Sequence, residues 1–256
     1  MDHDRTGTND TLPGADIVRE AARVLDAAQQ AGVTLRLFGG VAVALRCPSA
    51  AQPDLRRTYN DLDFAAASRQ REAVSTLLAA LGYEPDRSFN ALHGHQRLLF
   101  WHQDNGRQLD VVFDQLRMSH TFDLRERLTI DERTMPLAEL LLFKLQIVEA
   151  NEKDIVDAIV LLGDHPLGRD DSAINLAHIA RLAADDWGLC HTLERSLQRI
   201  AAHPLAVRDD LPYTVSEQVA TLLAHLAAAP KTTRWKLRAR VGERVRWYEL
   251  PEETRG

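Results

Sequence analysis

A chain of 256 residues with 45% hydrophobic content has material for a sizeable core, in one large or two small domains. No run approaches the ~18 apolar residues of a membrane helix, and the formal net charge of −6 excludes a protein that binds nucleic acid through its overall charge. Two cysteines, Cys47 and Cys190, and no charged-then-apolar leader point to a reducing compartment, the cytoplasm, and away from a disulfide scaffold.

Residues 1–14 are polar, carry Gly and Pro and show no periodicity, so a flexible segment is expected there. Between Asp16 and Gln30, Ile17, Ala21, Val24, Leu25 and Ala28 recur at helical spacing, and Gly32 stands where a C-capping glycine would. The apolar run from Val33 to Phe38 reads as a buried strand ending on Gly39-Gly40, and Val41–Arg46 opens a helix. Glycines at such a junction let backbone N–H groups approach a phosphate, with the positive end of the helix dipole behind them. A Pro-bearing loop across Pro48–Pro53 follows, expected to be disordered without nucleotide. Thr58-Tyr59-Asn60-Asp61-Leu62-Asp63-Phe64 returns to a β-type segment.

Ser68–Leu81 is expected to be an amphipathic helix with Val74, Leu77, Leu78 and Leu81 on one side. His93-Gly94-His95 suggests a metal pair, but no Cys or carboxylate stands nearby at zinc-like spacing, and the flanking Gly and Asn favour a loop. Gln96–Trp101, the turn Asp104-Asn105-Gly106 and Arg107–Phe113 form a predicted hairpin, with Asp110 four residues past the turn. Residues 126–135 supply one more short predicted strand. Pro136–Ala150 is a predicted helix with Pro in its first turn, continued or briefly broken at Asn151 before a helix to Leu162. Ala173–Ala184, Leu189–Ala201 and Ser216–Ala229 complete the predicted helices. The expected plan is α/β (α+β): a core with a mixed sheet over residues 15–135, then a helical domain over 136–256.

The C-terminal end is locally basic. Residues 231–246 hold seven Lys or Arg against one acid, Glu243, with Trp235 and Trp247 within or beside the run. Such a segment either tracks a phosphate backbone and stacks a base, or is a solvated helix whose Trp side chains pack on the domain.

The chemistry concentrates in the first half. In a strand Asp61 and Asp63 point the same way while Leu62 and Phe64 face the core. Two such carboxylates repel unless protonated or bridged by a cation, and a hard divalent ion, Mg²⁺ above all, suits oxygen ligands. Asp110 adds a third carboxylate if its strand lies beside theirs, and Asp114, nearer the strand end, is expected to be structural or to support the site from behind. No Ser-His-Asp or Cys-His frame and no GxxxxGK loop is recognisable.

Gly39-Gly40, then Asp61-x-Asp63, then Asp110 on a later strand resembles the nucleotidyltransferase superfamily with the DNA polymerase β-like core. Arg57 ahead of the carboxylates, Lys144, and Lys153-Asp154-Ile155-Val156-Asp157 resemble its AbiEii-type toxin branch, which includes the MenT-like tRNA-modifying toxins. The resemblance covers roughly residues 16–163 and departs from the pattern in two places. Twenty residues separate Gly40 from Asp61, and a second Gly stands where many members have Ser.

The resemblance implies two Mg²⁺ ions, or Mn²⁺, on Asp61, Asp63 and Asp110, with Asp110 helping to deprotonate an acceptor hydroxyl. It implies that the Gly39 and Gly40 amides hold the β- and γ-phosphates of a nucleoside triphosphate. Lys144 would reach the triphosphate or else snorkel from a core helix. Asp154 and Asp157 would orient Lys144 and substrate or else cap their helix, and Arg57 is a phosphate ligand or a surface residue. The implied reaction moves a nucleoside monophosphate to a hydroxyl acceptor, a tRNA if the toxin likeness extends that far, with a separately encoded antitoxin as partner. The alternatives are an antibiotic nucleotidyltransferase of the aminoglycoside type and a non-catalytic nucleotide-binding module.

Overall fold

The computed structural model describes residues 13–104 and 106–249. The expected flexible N-terminus therefore falls mostly outside the described residues, as does Asn105 of the hairpin turn.

The chain opens with α1 (Pro13–Gln30), β1 (Leu35–Phe38), α2 (Gly39–Arg46), β2 (Asp61–Ala66), α3 (Arg71–Ala80) and β3 (Tyr83–Pro85). It continues with α4 (Arg87–His93), β4 (Arg97–His102), β5 (Gln108–Phe113), β6 (Gln115–Arg117) and β7 (Thr121–Asp123). Then come α5 (Leu137–Leu145), α6 (Glu152–Asp164), β8 (Leu167–Gly168) and β9 (Ile174–Asn175). The last helices are α7 (Leu176–Asp185), α8 (Trp187–Ala201), α9 (Val215–Ala228) and α10 (Thr233–Val241). No helix among the described residues is long and apolar enough to cross a membrane.

A five-stranded sheet in the order β1-β2-β5-β4-β3 organises the first half. Only β2 and β5 run parallel, so the sheet is mixed, as expected from the sequence. Strand alternation sorts its faces: Leu62, Phe64, Leu109 and Val111 are fully buried, while Asp61, Asp63 and Asp110 share the opposite face. Each fully buried Leu or Phe adds about 1.5–3 kcal/mol over an exposed one, which fixes the register because a slip by one residue would exchange the faces. α2 packs on α5 and α6, and the buried apolar residues run continuously from Ile17 to Leu226.

Several local expectations are corrected. The loop after α2 is ordered: Pro48–Ala51 is a 3₁₀ turn, Leu55 is buried, and Ser49 is held by the Asp164 carboxylate through its N–H (2.9 Å) and hydroxyl (2.5 Å). A helix, α4, occupies residues to which no element was assigned, started by Asp86, whose carboxylate accepts from the Phe89 N–H, and the loop expected around His93–His95 follows as a turn from Gly94. In place of a strand across 126–135 there are turns and a single bridge from Leu37 to Thr134. The predicted 136–150 helix ends at Leu145, and Asn151 and Asp154 restart the chain as α6 through a reciprocal capping box.

Candidate active site

Because β2 and β5 are parallel neighbours, Asp63 lies directly across from Asp110, and Asp61 across from Gln108. The sheet thereby brings the expected carboxylates to one place. Burial, and then the charges of Asp61 and Asp110, push the Asp63 carboxyl up to about 7, against smaller opposing pulls from Lys144 and Arg97.

The glycine pair lies at the same place for a steric reason. Gly39 has φ +70°, a left-handed conformation that a side chain disfavours, and a Cβ there would overlap the Asp63 carboxylate. A Cβ at Gly40 would overlap the Arg57 guanidinium and press on the Tyr59 ring. No side chain caps the start of α2 and no acid stands in its first turn. Its leading N–H groups therefore lack intrahelical acceptors and suit an anion.

A second charged layer comes from the helices. Arg57 grips Asp157 with two bonds, Nε to Oδ1 (2.7 Å) and Nη2 to Oδ2 (2.5 Å), and its guanidinium lies 4.4 Å from the centre of the Tyr59 ring. The Lys144 ammonium reaches Asp157 (2.8 Å) and Asp154 (3.1 Å). Burial alone would lower the Lys144 pKa, but the two carboxylates outweigh it and raise it, so Lys144 is charged. Asp154 both caps α6 and pairs with Lys144, so its two expected roles coexist. Arg57 is not a surface residue, since its side chain is only 16% exposed.

Asp157 is 2% exposed and serves two cations, so removing its charge strips Arg57 of its counter-ion and leaves Lys144 with Asp154 alone. Asp157→Asn should lower unfolding free energy by about 2–4 kcal/mol, checked by denaturant titration. A loss under ~1 kcal/mol would mean water already screens the cluster.

Sequence reading missed Arg97. Its Nε donates to Asp110 Oδ1 (2.5 Å) and its Nη2 to Oδ2 (2.7 Å), while Gln108 Nε2 adds a bond to Oδ2 (2.9 Å). The signal was present but needed the strand register: Leu99 of β4 lies opposite Asp110, and Arg97, two residues away, shares that face. No three His, Cys, Asp or Glu side chains among the described residues are drawn together to hold a metal ion. Asp114, in a left-handed conformation (φ 59°), accepts from the Ser68 N–H and is structural, as expected.

The basic C-terminal segment lies elsewhere. It borders a cleft of roughly 1870 Å³, walled by Arg181, Trp187, Arg234, Arg238, Arg246 and Trp247, that reaches none of the carboxylates above. Trp235 packs against the core and Trp247 donates to Thr192 (3.0 Å), which is the packing role expected of a solvated helix. Lys236, Arg240 and Arg244 remain exposed on α10 and the turn after it.

No family model matches the chain, and no curated protein does. Among solved structures, it is similar to the lincosamide antibiotic adenylyltransferase LnuA, lincomycin-bound: 18% identity, TM-score 0.39, covering 56% of this chain and 94% of that one. It is also similar to the antibiotic-resistance factor ANT(2'')-Ia: 13% identity, TM-score 0.39, covering 58% and 83%. A third likeness is to an antigenic nucleotidyltransferase-like protein from Paracoccidioides brasiliensis: 14% identity, TM-score 0.42, covering 87% and 97%. These likenesses are too loose to carry a functional conclusion.

Proposed function

We propose that the chain is a divalent-metal-dependent nucleotidyltransferase that moves a nucleoside monophosphate from a nucleoside triphosphate to a hydroxyl of RNA, a tRNA above all. The observation that carries the reading is the placing of Asp63 beside Asp110, with Asp61 one step along the same face, against the uncapped, glycine-opened start of α2. Burial, and then the charges of Asp61 and Asp110, raise Asp63, and a divalent cation would relieve both. The donor set is all hard oxygen, which suits Mg²⁺ or Mn²⁺. Asp61 and Asp63 would hold the ions, joined by Asp110 once it is free of Arg97. When bound, the metal lowers the pKa of an acceptor hydroxyl and neutralises phosphate charge.

The chain's own residues account for the remainder of the reaction. The leading amides of α2 at Gly39 and Gly40 receive the β- and γ-phosphates, and Lys144 supplies a positive charge held in place by Asp154 and Asp157. Arg57, locked to Asp157, stands over Gly40 and faces the same phosphates. Asp110 accepts the proton of the acceptor hydroxyl. The hydroxyl oxygen then bonds to the α-phosphorus, the α–β phosphoanhydride bond breaks, and pyrophosphate leaves.

The acceptor class draws its support from the exposed Lys236 and Arg240, one turn apart on α10, and from the exposed Arg244 beyond its end. A toxin role with a separately encoded antitoxin belongs to the same proposal. The test is incubation of the protein with Mg²⁺, each α-labelled nucleoside triphosphate in turn, and total tRNA, beside an Asp61→Ala/Asp63→Ala control. Label entering RNA only with the carboxylates intact is expected, as is a fall in activity with added salt that eases by roughly 0.7 in log–log slope for each basic contact removed. Label entering an aminoglycoside or lincosamide, with tRNA untouched, would overturn the RNA acceptor. Triphosphate binding without transfer to any acceptor would overturn the enzyme.

A further inference from the structure

Three donors occupy the Asp110 carboxylate: Arg97 Nε and Nη2, and Gln108 Nε2. The Asp110 side chain is 3% exposed, so water does not compete for those oxygens. The three donors take both lone-pair sites of Oδ2 and one of Oδ1, and the guanidinium charge pinned beside the remaining site repels a divalent ion. The same guanidinium also feels the charges of Asp63 and Asp61. It therefore stands as a cation among the acids of the site.

Arg97 is also placed to leave. Its side chain is 35% exposed, and the guanidinium lies 5.5 Å from the centre of the Phe89 ring on α4. Turning away from Asp110 would keep it near that ring and in water, at modest loss. Arg57, the other arginine of the site, differs: its partner Asp157 also serves Lys144, and its own side chain is only 16% exposed. One arginine is fixed by its surroundings and the other is not.

The geometry points to Arg97 as an internal counter-ion that holds Asp110 closed to metal until a divalent ion displaces it. The inference rests on the nucleotidyltransferase reading. Under it, an ion engaging Asp61 and Asp63 need not break the Arg97 pair, whereas an ion needing Asp110 must. The apparent affinity for that ion is reduced by the free energy of the pair, which for a part-exposed bidentate contact corresponds to roughly tenfold. Arg97 is thus a positioning residue that keeps Asp110 charged and aimed, and it makes metal loading a two-step event.

The experiment is Mn²⁺ titration of the full chain, followed by electron paramagnetic resonance and without nucleotide, for the wild type, Arg97→Gln and Arg97→Lys. Thermal melts with and without Mn²⁺ accompany it. Arg97→Gln is expected to bind the weaker Mn²⁺ about tenfold more tightly, to melt lower without metal, and to gain more from Mn²⁺ than the wild type. Arg97→Lys, which keeps the charge but not the two-pronged contact, should fall between. Unchanged or weaker Mn²⁺ binding in Arg97→Gln, with the wild type binding normally, would overturn the displacement while leaving the nucleotidyltransferase reading intact. Absence of Mn²⁺ binding in wild type and Arg97→Gln alike would overturn both. A misfolded Arg97→Gln is detected by its melt, and Arg97→Lys then decides: tighter Mn²⁺ binding supports displacement and unchanged binding overturns it.

Discussion

Asp63→Asn is expected to abolish nucleotidyl transfer while raising the melting temperature of the metal-free protein at pH 8. Both effects come from one buried, crowded carboxylate. With its folded pKa raised from 3.8 to about 7, Asp63 is harmless when protonated and destabilising when ionised. The sign follows from proton binding. Below about pH 4 the group is protonated folded and unfolded, and it contributes no penalty. As pH rises from about 4 toward 7, the unfolded chain releases the proton first, so stability falls across that window, and above about 7 the full penalty applies. Asn removes the charge and the penalty together, a gain on the order of 1 kcal/mol or more and about 2–4 °C in a chain of this size. Transfer should drop by about a thousandfold or more, since the lost carboxylate is one the reaction uses directly. Melts in EDTA at pH 5 and pH 8, beside a transfer assay, read both effects. An Asn variant that melts lower than the wild type at pH 8 would show that Asp63 is not held under strain.

Gly39→Ala should be the most damaging substitution outside the acids. A residue other than glycine at φ +70° costs about 1–2 kcal/mol, and the new methyl would also displace the Asp63 carboxylate from its seat. We expect a folded protein, destabilised by about 2–3 kcal/mol, with transfer reduced by about a hundredfold or more. Gly40→Ala offers the contrast. Its backbone is unstrained, and the methyl meets the Arg57 guanidinium, which is pinned to Asp157. Its main effect should fall on triphosphate affinity through a displaced Arg57. Denaturant melts and triphosphate titration of the two variants separate these outcomes. Equal, small losses in both would mean that neither glycine serves a phosphate.

The sequence made the face of the sheet legible because strand alternation is local. Asp61 and Asp63 had to share a side whatever lay next to them, and the hairpin turn put Asp110 on a strand that needed a neighbour. The pairing that joined them was a topological inference, and Arg97 went unseen because it is diagonal to Asp110 across a register known only once the strands are aligned. Residues Arg87–His93 also escaped notice, since a seven-residue helix lacks two full turns of periodicity and rests on its Asp86 cap. The opposite error came from Pro48–Pro53. Its polar, Pro-bearing composition argued for mobility, but the buried Leu55 and the Ser49–Asp164 contact, more than a hundred positions apart in sequence, hold it in place. Local composition carries no trace of a tether that distant.

That tether alters how the region breathes. The stretch between α2 and β2 is attached to α6 twice, through Ser49 at Asp164, the last residue of the helix, and through Arg57 at Asp157, near its middle. Opening the stretch therefore breaks bonds that also order α6, and fraying α6 releases the stretch. The two are expected to act as a single cooperative unit in native-state amide exchange, with one shared opening free energy where separate elements would show two. A nucleotide that adds contacts to Arg57 would slow exchange along the whole of α6, including residues it never touches.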